Sequence, residues 1–174
     1  GLALNKVLIA NAVRCVPPQN KPTGPEIATC RQFLSATIET HRISYGYVVP
    51  PIVLGLAKHP LVEKYDLSSL RVMFSGAAPL GAELAAACSA RLGVRVLQGY
   101  GLTETSHVTH CVRADRSATS GGSFGQPLPN TEAKVVHVGN GGDLGPRQEG
   151  EIWARGPQVM KGYLNRPDAT AAMI

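Results

Sequence analysis

Apolar residues recur at near-helical spacing over residues 26–40, at Ile27, Phe33, Leu34 and Ile38, so the pattern predicts a helix there. His41, Arg42, Ile43 and Ser44 lead into an apolar run over 45–49 that reads as a buried strand. Pro50-Pro51 breaks this strand, and 52–58 reads as a short helix closed by Pro60. The centre is the most regular part. Residues 70–74 form a short apolar run, 80–92 are Ala-rich and helical in pattern, and 94–97 are apolar again. A strand, helix and strand of these lengths imply parallel strands joined by a right-handed crossover.

Past Glu104 the pattern changes. Residues 108–112 read as a strand, and 117–125 as a Gly/Ser-rich loop. Residues 132–138 alternate like a half-buried strand, Asn140-Gly141 supplies a hairpin-type turn, and 151–154 are a second alternating strand. A helix is expected to start at Asp168, with Pro167 near its first turn. The first 25 residues join an apolar segment, 7–13, to a stretch holding Pro17, Pro18, Pro22 and Pro25, and read as a connection. The expected fold class is α/β: a partial parallel βαβ sheet followed by a small antiparallel β module.

Composition narrows the function classes. With 44% hydrophobic and 17% charged residues, the 174-residue chain is ordinary for a soluble globular domain. Its apolar runs fall short of the roughly 20 residues that span a bilayer, so no membrane segment is expected. The start lacks both Met and the order of a secretory signal, so the chain reads as cytoplasmic and as cut from something longer. The net charge of +5 is scattered and aromatic residues make up 5%, which argues against a nucleic-acid partner. Cys15, Cys30, Cys88 and Cys111 are widely spaced with no Cys-x-x-Cys pair, and read as free thiols.

In parallel sheets ligands sit beyond the carboxyl ends of the strands. Two segments hold that place: Ser75-Gly76-Ala77-Ala78-Pro79 after the first central strand, and Gln98-Gly99-Tyr100-Gly101-Leu102-Thr103-Glu104 after the second. Small residues in the first leave room for a flat ligand to approach backbone, although a tight strand-to-helix turn would also use them. In the second, Thr103 offers a hydroxyl to a phosphate oxygen and Glu104 a carboxylate to magnesium.

These residues also carry a resemblance. Tyr100-Gly101-Leu102-Thr103-Glu104, with Gln98-Gly99 before it and the turn at 75–79, closely resembles the core of the AMP-binding (ANL) superfamily of acyl-CoA synthetases, luciferases and adenylation domains. The likeness continues through Gly150-Glu151-Ile152, Arg155-Gly156 and Met160-Lys161-Gly162-Tyr163-Leu164-Asn165. Tyr65-Asp66-Leu67-Ser68-Ser69-Leu70-Arg71 and Val49-Pro50-Pro51-Ile52 look most like the 4-coumarate:CoA ligase branch and its fatty-acyl relatives. On this resemblance 45–112 is the βαβ nucleotide-binding core and 113–174 an antiparallel module of the same large domain, while 1–44 match poorly.

The resemblance implies a two-step reaction. A small carboxylic acid attacks the α-phosphate of ATP to give an acyl-adenylate and pyrophosphate, and CoA then displaces AMP. Thr103 and Glu104 would be the catalytic pair, with Glu104 holding Mg2+. Gly76, Ala77, Ala78, Pro79, Gln98, Gly99, Tyr100, Gly101 and Thr103 would bind the nucleotide. Gly76, Ala78, Gly101, His107 and Val108 would line the acyl pocket. The family's phosphate loop is expected before Gly1, and its ribose-binding Asp, hinge and C-terminal domain after Ile174. The chain alone is therefore expected to be inactive, with its strands partly uncovered and its stability marginal. Two alternatives share the same residues: a non-catalytic remnant that binds AMP or the acyl group, and an adenylation domain that loads a carrier protein.

Other features have simpler readings. Gly139-Asn140-Gly141-Gly142-Asp143-Leu144-Gly145 opens no helix, so it is a hairpin turn and not a dinucleotide loop. His107 and His110 lack nearby partner ligands for a metal. Lys161 reads as solvated or structural, and the helix bearing Glu83 and Arg91 as a packing helix.

Overall fold

The computed structural model describes residues 23–114 and 122–174. The expectations for the first 22 residues, and for part of the Gly/Ser-rich loop at 117–125, lie outside the described residues. The chain divides into two compact units, Gly1–Val96 and Leu97–Ile174.

The described part of the first unit opens with α1 (Gly24–Thr40), whose Leu34, Ser35 and Ile38 turn inward at helical spacing. The helix ends as Arg42 takes φ +49, and the Ile43 N–H reaches back to the Ile38 carbonyl at 3.0 Å. Strand β1 (Tyr45–Val48) and strand β2 (Val72–Ser75) pair in parallel, with Tyr47 opposite Phe74 and Val48 opposite Ser75. Between them run α2 (Pro50–Lys58) and a short 3-10 helix (Pro60–Lys64). The sequence reading started α2 at Ile52. The helix instead begins at Pro50, because proline's fixed φ suits a first turn and its missing N–H would have no intrahelical partner there. Pro60 likewise opens a 3-10 turn where a simple stop was expected.

The α3 helix (Ala82–Leu92) ends at Gly93, whose φ of +66 is the left-handed cap that glycine takes without steric cost. Arg91 joins α3 to α2. Its guanidinium donates to the Leu56 carbonyl (3.3 Å), one of the last carbonyls of α2, and to the His59 carbonyl (3.0 Å), which also accepts from the Val62 N–H (3.3 Å). The packing role expected for this helix thus has a named contact. Strand β3 (Arg95–Tyr100) then starts beside the start of β2, as the Arg95 N–H donates to the Arg71 carbonyl at 3.0 Å. Val53, Leu56, Leu70, Met73, Cys88 and Val94 are among the core residues that the helices cover.

Alternation along β1 sends Gly46 and Val48 toward this core and Tyr45 and Tyr47 away from it. Tyr47 is 79% exposed, and its ring lies 5.8 Å from that of Phe74 on the neighbouring strand, tilted at 55°. Parallel sheets are ordinarily covered on both faces. Here the face turned from the core is exposed along β1, where Tyr45 and Tyr47 leave a strand read as buried only half-covered, while Val72 on the same face of β2 is buried.

In the second unit the end of β3 pairs antiparallel with β4 (His110–Cys111), which pairs in turn with β5 (Gln126–Pro127). The β4 ladder is extended by the Thr109 N–H to Tyr100 (2.9 Å) and the Val112 N–H to Gln98 (3.0 Å), so the expected strand is present over 109–112. Strands β6 (Glu132–Val136) and β7 (Glu151–Arg155) make a separate antiparallel pair. Alternation holds along β7 but fails along β6, where only Val135 and Val136 lose substantial exposure. The face of β6 that carries Glu132 and Lys134 is held by polar contacts: Glu132 pairs with Arg155, and Lys134 sits 5.2 Å above the Trp153 ring. The turn at Asn140-Gly141 folds Asp143 and Leu144 back on one edge of β6, while β7 takes the other. Helix α4 (Pro167–Met173) closes the chain.

Candidate nucleotide-binding turns

The turn after β2 belongs to the first unit. Ser75 and Leu80 are buried and anchor its two ends, while Ala77, Ala78 and Pro79 between them are exposed. Gly76 donates its N–H to the Val48 carbonyl (3.2 Å), which prolongs the parallel ladder by one residue. A Cβ built on Gly76 meets nothing within 4 Å. Ala77 has φ +68, a left-handed conformation that a β-carbon disfavours. Small residues here front open space, which is what the approach of a flat ligand to backbone needs.

The loop after β3 belongs to the second unit and is built differently. Leu102 starts a 3-10 turn (Thr103–Thr105), and the Thr105 hydroxyl both accepts from the Leu102 N–H and donates to the Leu102 carbonyl, each at 3.0 Å. Ser106 and His107 follow at φ +48 and +88, which throws the His107 carbonyl against Gly101. A Cβ at Gly101 would lie 1.7 Å from that carbonyl oxygen. Gly101 is thus required by the fold of the loop itself, whereas Gly76 is not.

Behind the loop, Tyr100, His110 and Phe124 form an aromatic cluster with ring centroids 5.0–6.1 Å apart. His110 is buried, bonds through Nδ1 to the Thr109 hydroxyl at 2.9 Å, and titrates below the ordinary histidine range because burial disfavours its cation. His107 is exposed on the loop, so the two histidines serve separate surroundings.

Thr103 is exposed and Glu104 half-buried. The Glu104 carboxylate accepts a hydrogen bond from the Tyr163 phenol at Oε1, and its backbone carbonyl accepts from the Met160 N–H at 2.7 Å. The phenol, aided by Glu104's own N–H, holds this carboxyl below the usual glutamate range. Tyr163 is pushed up by the same contact. Glu104, Tyr100 and Leu102 lie along a cleft of about 650 Å³ that Trp153 and Val159 also border.

Among the described residues no three His, Cys, Asp or Glu side chains cluster as a metal cage. A single ionised carboxylate suits magnesium, which commonly takes one or two protein carboxylates and completes its shell with water and substrate phosphates. Glu104 therefore fits an ion that arrives with a triphosphate. Tyr163 was missed as a site residue at the sequence level. It was visible only as part of the motif at 160–165, and nothing in the spacing linked it to a carboxylate 59 residues earlier.

A family model described as "AMP-binding enzyme" matches residues 7–164. The chain belongs to this family. It is 45% identical over 180 aligned positions to 4-coumarate-CoA ligase 2 of Oryza sativa subsp. japonica, which takes in 99% of the chain and 30% of that protein. It is 49% identical to 4-coumarate-CoA ligase 2 of Narcissus pseudonarcissus, with 87% of the chain and 28% of the relative covered. The chain thus spans about three tenths of the length of these relatives.

Among solved structures, the red-emitting luciferase of Phrixothrix hirtus aligns with a TM-score of 0.64 at 40% identity, over 80% of the chain and 30% of the luciferase. The amide bond synthetase McbA of Marinactinospora thermotolerans aligns with a TM-score of 0.73 at 30% identity, over 87% of the chain and 34% of its own. These likenesses agree with the α/β architecture described above. No described helix is long and apolar enough to cross a membrane.

Proposed function

We propose that the chain is part of the large domain of an ATP-dependent carboxylate-CoA ligase of the 4-coumarate-CoA ligase kind. Such a ligase joins a carboxylate to the α-phosphate of ATP, releases pyrophosphate, and then transfers the acyl group from AMP to the CoA sulfur. The loop holding Thr103 and Glu104 carries this reading: it belongs to the matched family, and its carboxylate is kept ionised and held in place. Relatives at 45–49% identity named as 4-coumarate-CoA ligases support CoA over a carrier protein as the acceptor.

In this reading Thr103 donates its hydroxyl to a phosphate oxygen, and Glu104 holds Mg2+. The ion, when bound, offsets phosphate charge as pyrophosphate departs. Gly76, Ala77, Ala78 and Pro79 offer a low backbone wall to adenine and the acyl group. Within their own unit, Gln98, Gly99, Tyr100 and Gly101 contact the nucleotide in this reading, and His107 and Val108 the acyl group. Water exclusion and orientation, more than any covalent step by the protein, supply the rate.

The test is calorimetric binding of a non-hydrolysable 4-coumaroyl-adenylate analogue to the chain and to Gly76→Val. Saturable binding that the valine abolishes, while the melting transition stays in place, is the expected result. No binding by the unsubstituted chain, or equal binding by Gly76→Val, would rule the assignment out. ATP–pyrophosphate exchange by the same preparation separates a binding remnant from a catalytic piece.

A further inference from the structure

The segment Met160-Lys161-Gly162-Tyr163 has no part in the reading above, yet it meets the Glu104 turn at two points. The Met160 N–H bonds to the Glu104 carbonyl at 2.7 Å, and the Tyr163 phenol donates to the Glu104 side chain. The segment is itself clamped. The Tyr163 N–H donates to the Thr170 hydroxyl at 2.9 Å, and that hydroxyl donates onward to the Arg166 carbonyl at 2.9 Å. Gly162 takes φ +146, and a Cβ there would lie 2.8 Å from the Thr170 methyl carbon. Asn165, at φ +55, turns the chain into the helix that bears Thr170. Helix α4 thus fixes the backbone of Tyr163, and Tyr163 fixes one oxygen of Glu104.

We propose that Tyr163 is a positioning residue for Glu104: its phenol occupies Oε1 and so presents the remaining oxygen to the magnesium ion of Mg·ATP. This rests on the reading of Glu104 as the magnesium-holding group. A side chain on a half-exposed turn otherwise samples several rotamers, and each rotamer not aimed at the ion weakens binding. Hydrogen-bonded partners behind a metal ligand commonly account for tenfold or more in metal affinity. The second contact, Met160 to the Glu104 carbonyl, holds the main chain of the turn while the phenol holds its side chain.

The experiment is a calorimetric titration of the chain with Mg·ATP and, separately, with metal-free ATP in EDTA, repeated for Tyr163→Phe, Thr170→Val and Glu104→Gln. For Tyr163→Phe we expect Mg·ATP affinity to fall about tenfold while metal-free ATP binds as before. Thr170→Val, which unseats Tyr163 through its backbone, shifts affinity in the same direction. A purely structural role moves both titrations together, and that result overturns the proposal. So does an unchanged Mg·ATP affinity in Tyr163→Phe when Glu104→Gln is weakened, which leaves the role of Glu104 standing. If Glu104→Gln itself binds Mg·ATP normally, or the unsubstituted chain does not distinguish Mg·ATP from metal-free ATP, the reading of Glu104 fails and this inference falls with it.

Discussion

Gly76 and Gly101 look alike in the sequence, each a glycine in a small-residue turn after a strand, yet alanine is expected to have opposite effects at the two positions. At Gly101 the new methyl would sit 1.7 Å from the His107 oxygen, 2.5 Å from the His107 carbonyl carbon and 2.6 Å from the Val108 Cα. Carbon atoms rest at about 3.5 Å or more, and every obstructing atom is backbone, so no rotamer change relieves the overlap. The loop must open, which breaks the His107 N–H to Leu102 bond (3.2 Å) and the Thr109 N–H to Tyr100 bond (2.9 Å). Two such bonds contribute about 1 kcal/mol each. Residual overpacking adds about 1–3 kcal/mol. Alanine's smaller unfolded-state entropy returns about 0.4–1 kcal/mol. The net loss for Gly101→Ala is about 2–5 kcal/mol, or about 1–2.5 M in urea midpoint at the usual slope for a small protein.

At Gly76 the methyl enters open space at no positive φ, so Gly76→Ala is expected to be neutral or stabilising by up to about 1 kcal/mol. Its cost appears only when a ligand competes for that space. Urea unfolding followed by circular dichroism, with the single tryptophan, Trp153, reporting on the second unit, measures both variants. A Gly101→Ala midpoint within about 0.2 M of the parent, or a Gly76→Ala loss as large as that of Gly101→Ala, would refute the reasoning.

Arg91→Met should lose about 2 kcal/mol, because two helix-end carbonyls forfeit a charged donor, whereas Glu63→Gln should lose under about 0.5 kcal/mol since that partner is 78% exposed. Equal losses in paired urea melts would assign the effect to the ion pair instead. The Asp66 carboxylate, held by Ser68 and by Arg42 at 2.7 Å, is lowered from the ordinary 3.8 to about 2. Its folded value lies below its unfolded one, so its contribution is complete above about pH 4 and lost as pH falls toward 2. The urea midpoint of the parent minus that of Asp66→Asn should shrink through this window; a constant difference contradicts the assignment.

The sequence located most elements because their signals are local. Gly93 ends α3, Asn140-Gly141 makes its turn, and the apolar runs at 45–49 and 70–74 are strands that pair in parallel. It misjudged Pro50 and Pro60, because proline both stops one element and opens the next, and the pattern does not say which. It gave β6 an alternation that the structure lacks, since the Glu132 and Lys134 face is satisfied by charge and by the Trp153 ring and not by burial. Thr103 and Glu104 were legible as a pair of chemical groups. Their surroundings were not: the phenol on Glu104 comes from 59 residues away, and the histidine carbonyl that makes Gly101 obligatory is aimed there by two left-handed residues that no composition signal marks.

The double contact of residues 160–163 with Glu104 also sets the size of the piece that can be exchanged between relatives. A chimera that imports only the loop at 98–110 from another family member would seat a foreign carboxylate under this chain's own tyrosine and methionine amide. A graft that ends after residue 110 therefore cuts through a matched set, and one that carries residues 160–170 along keeps it whole.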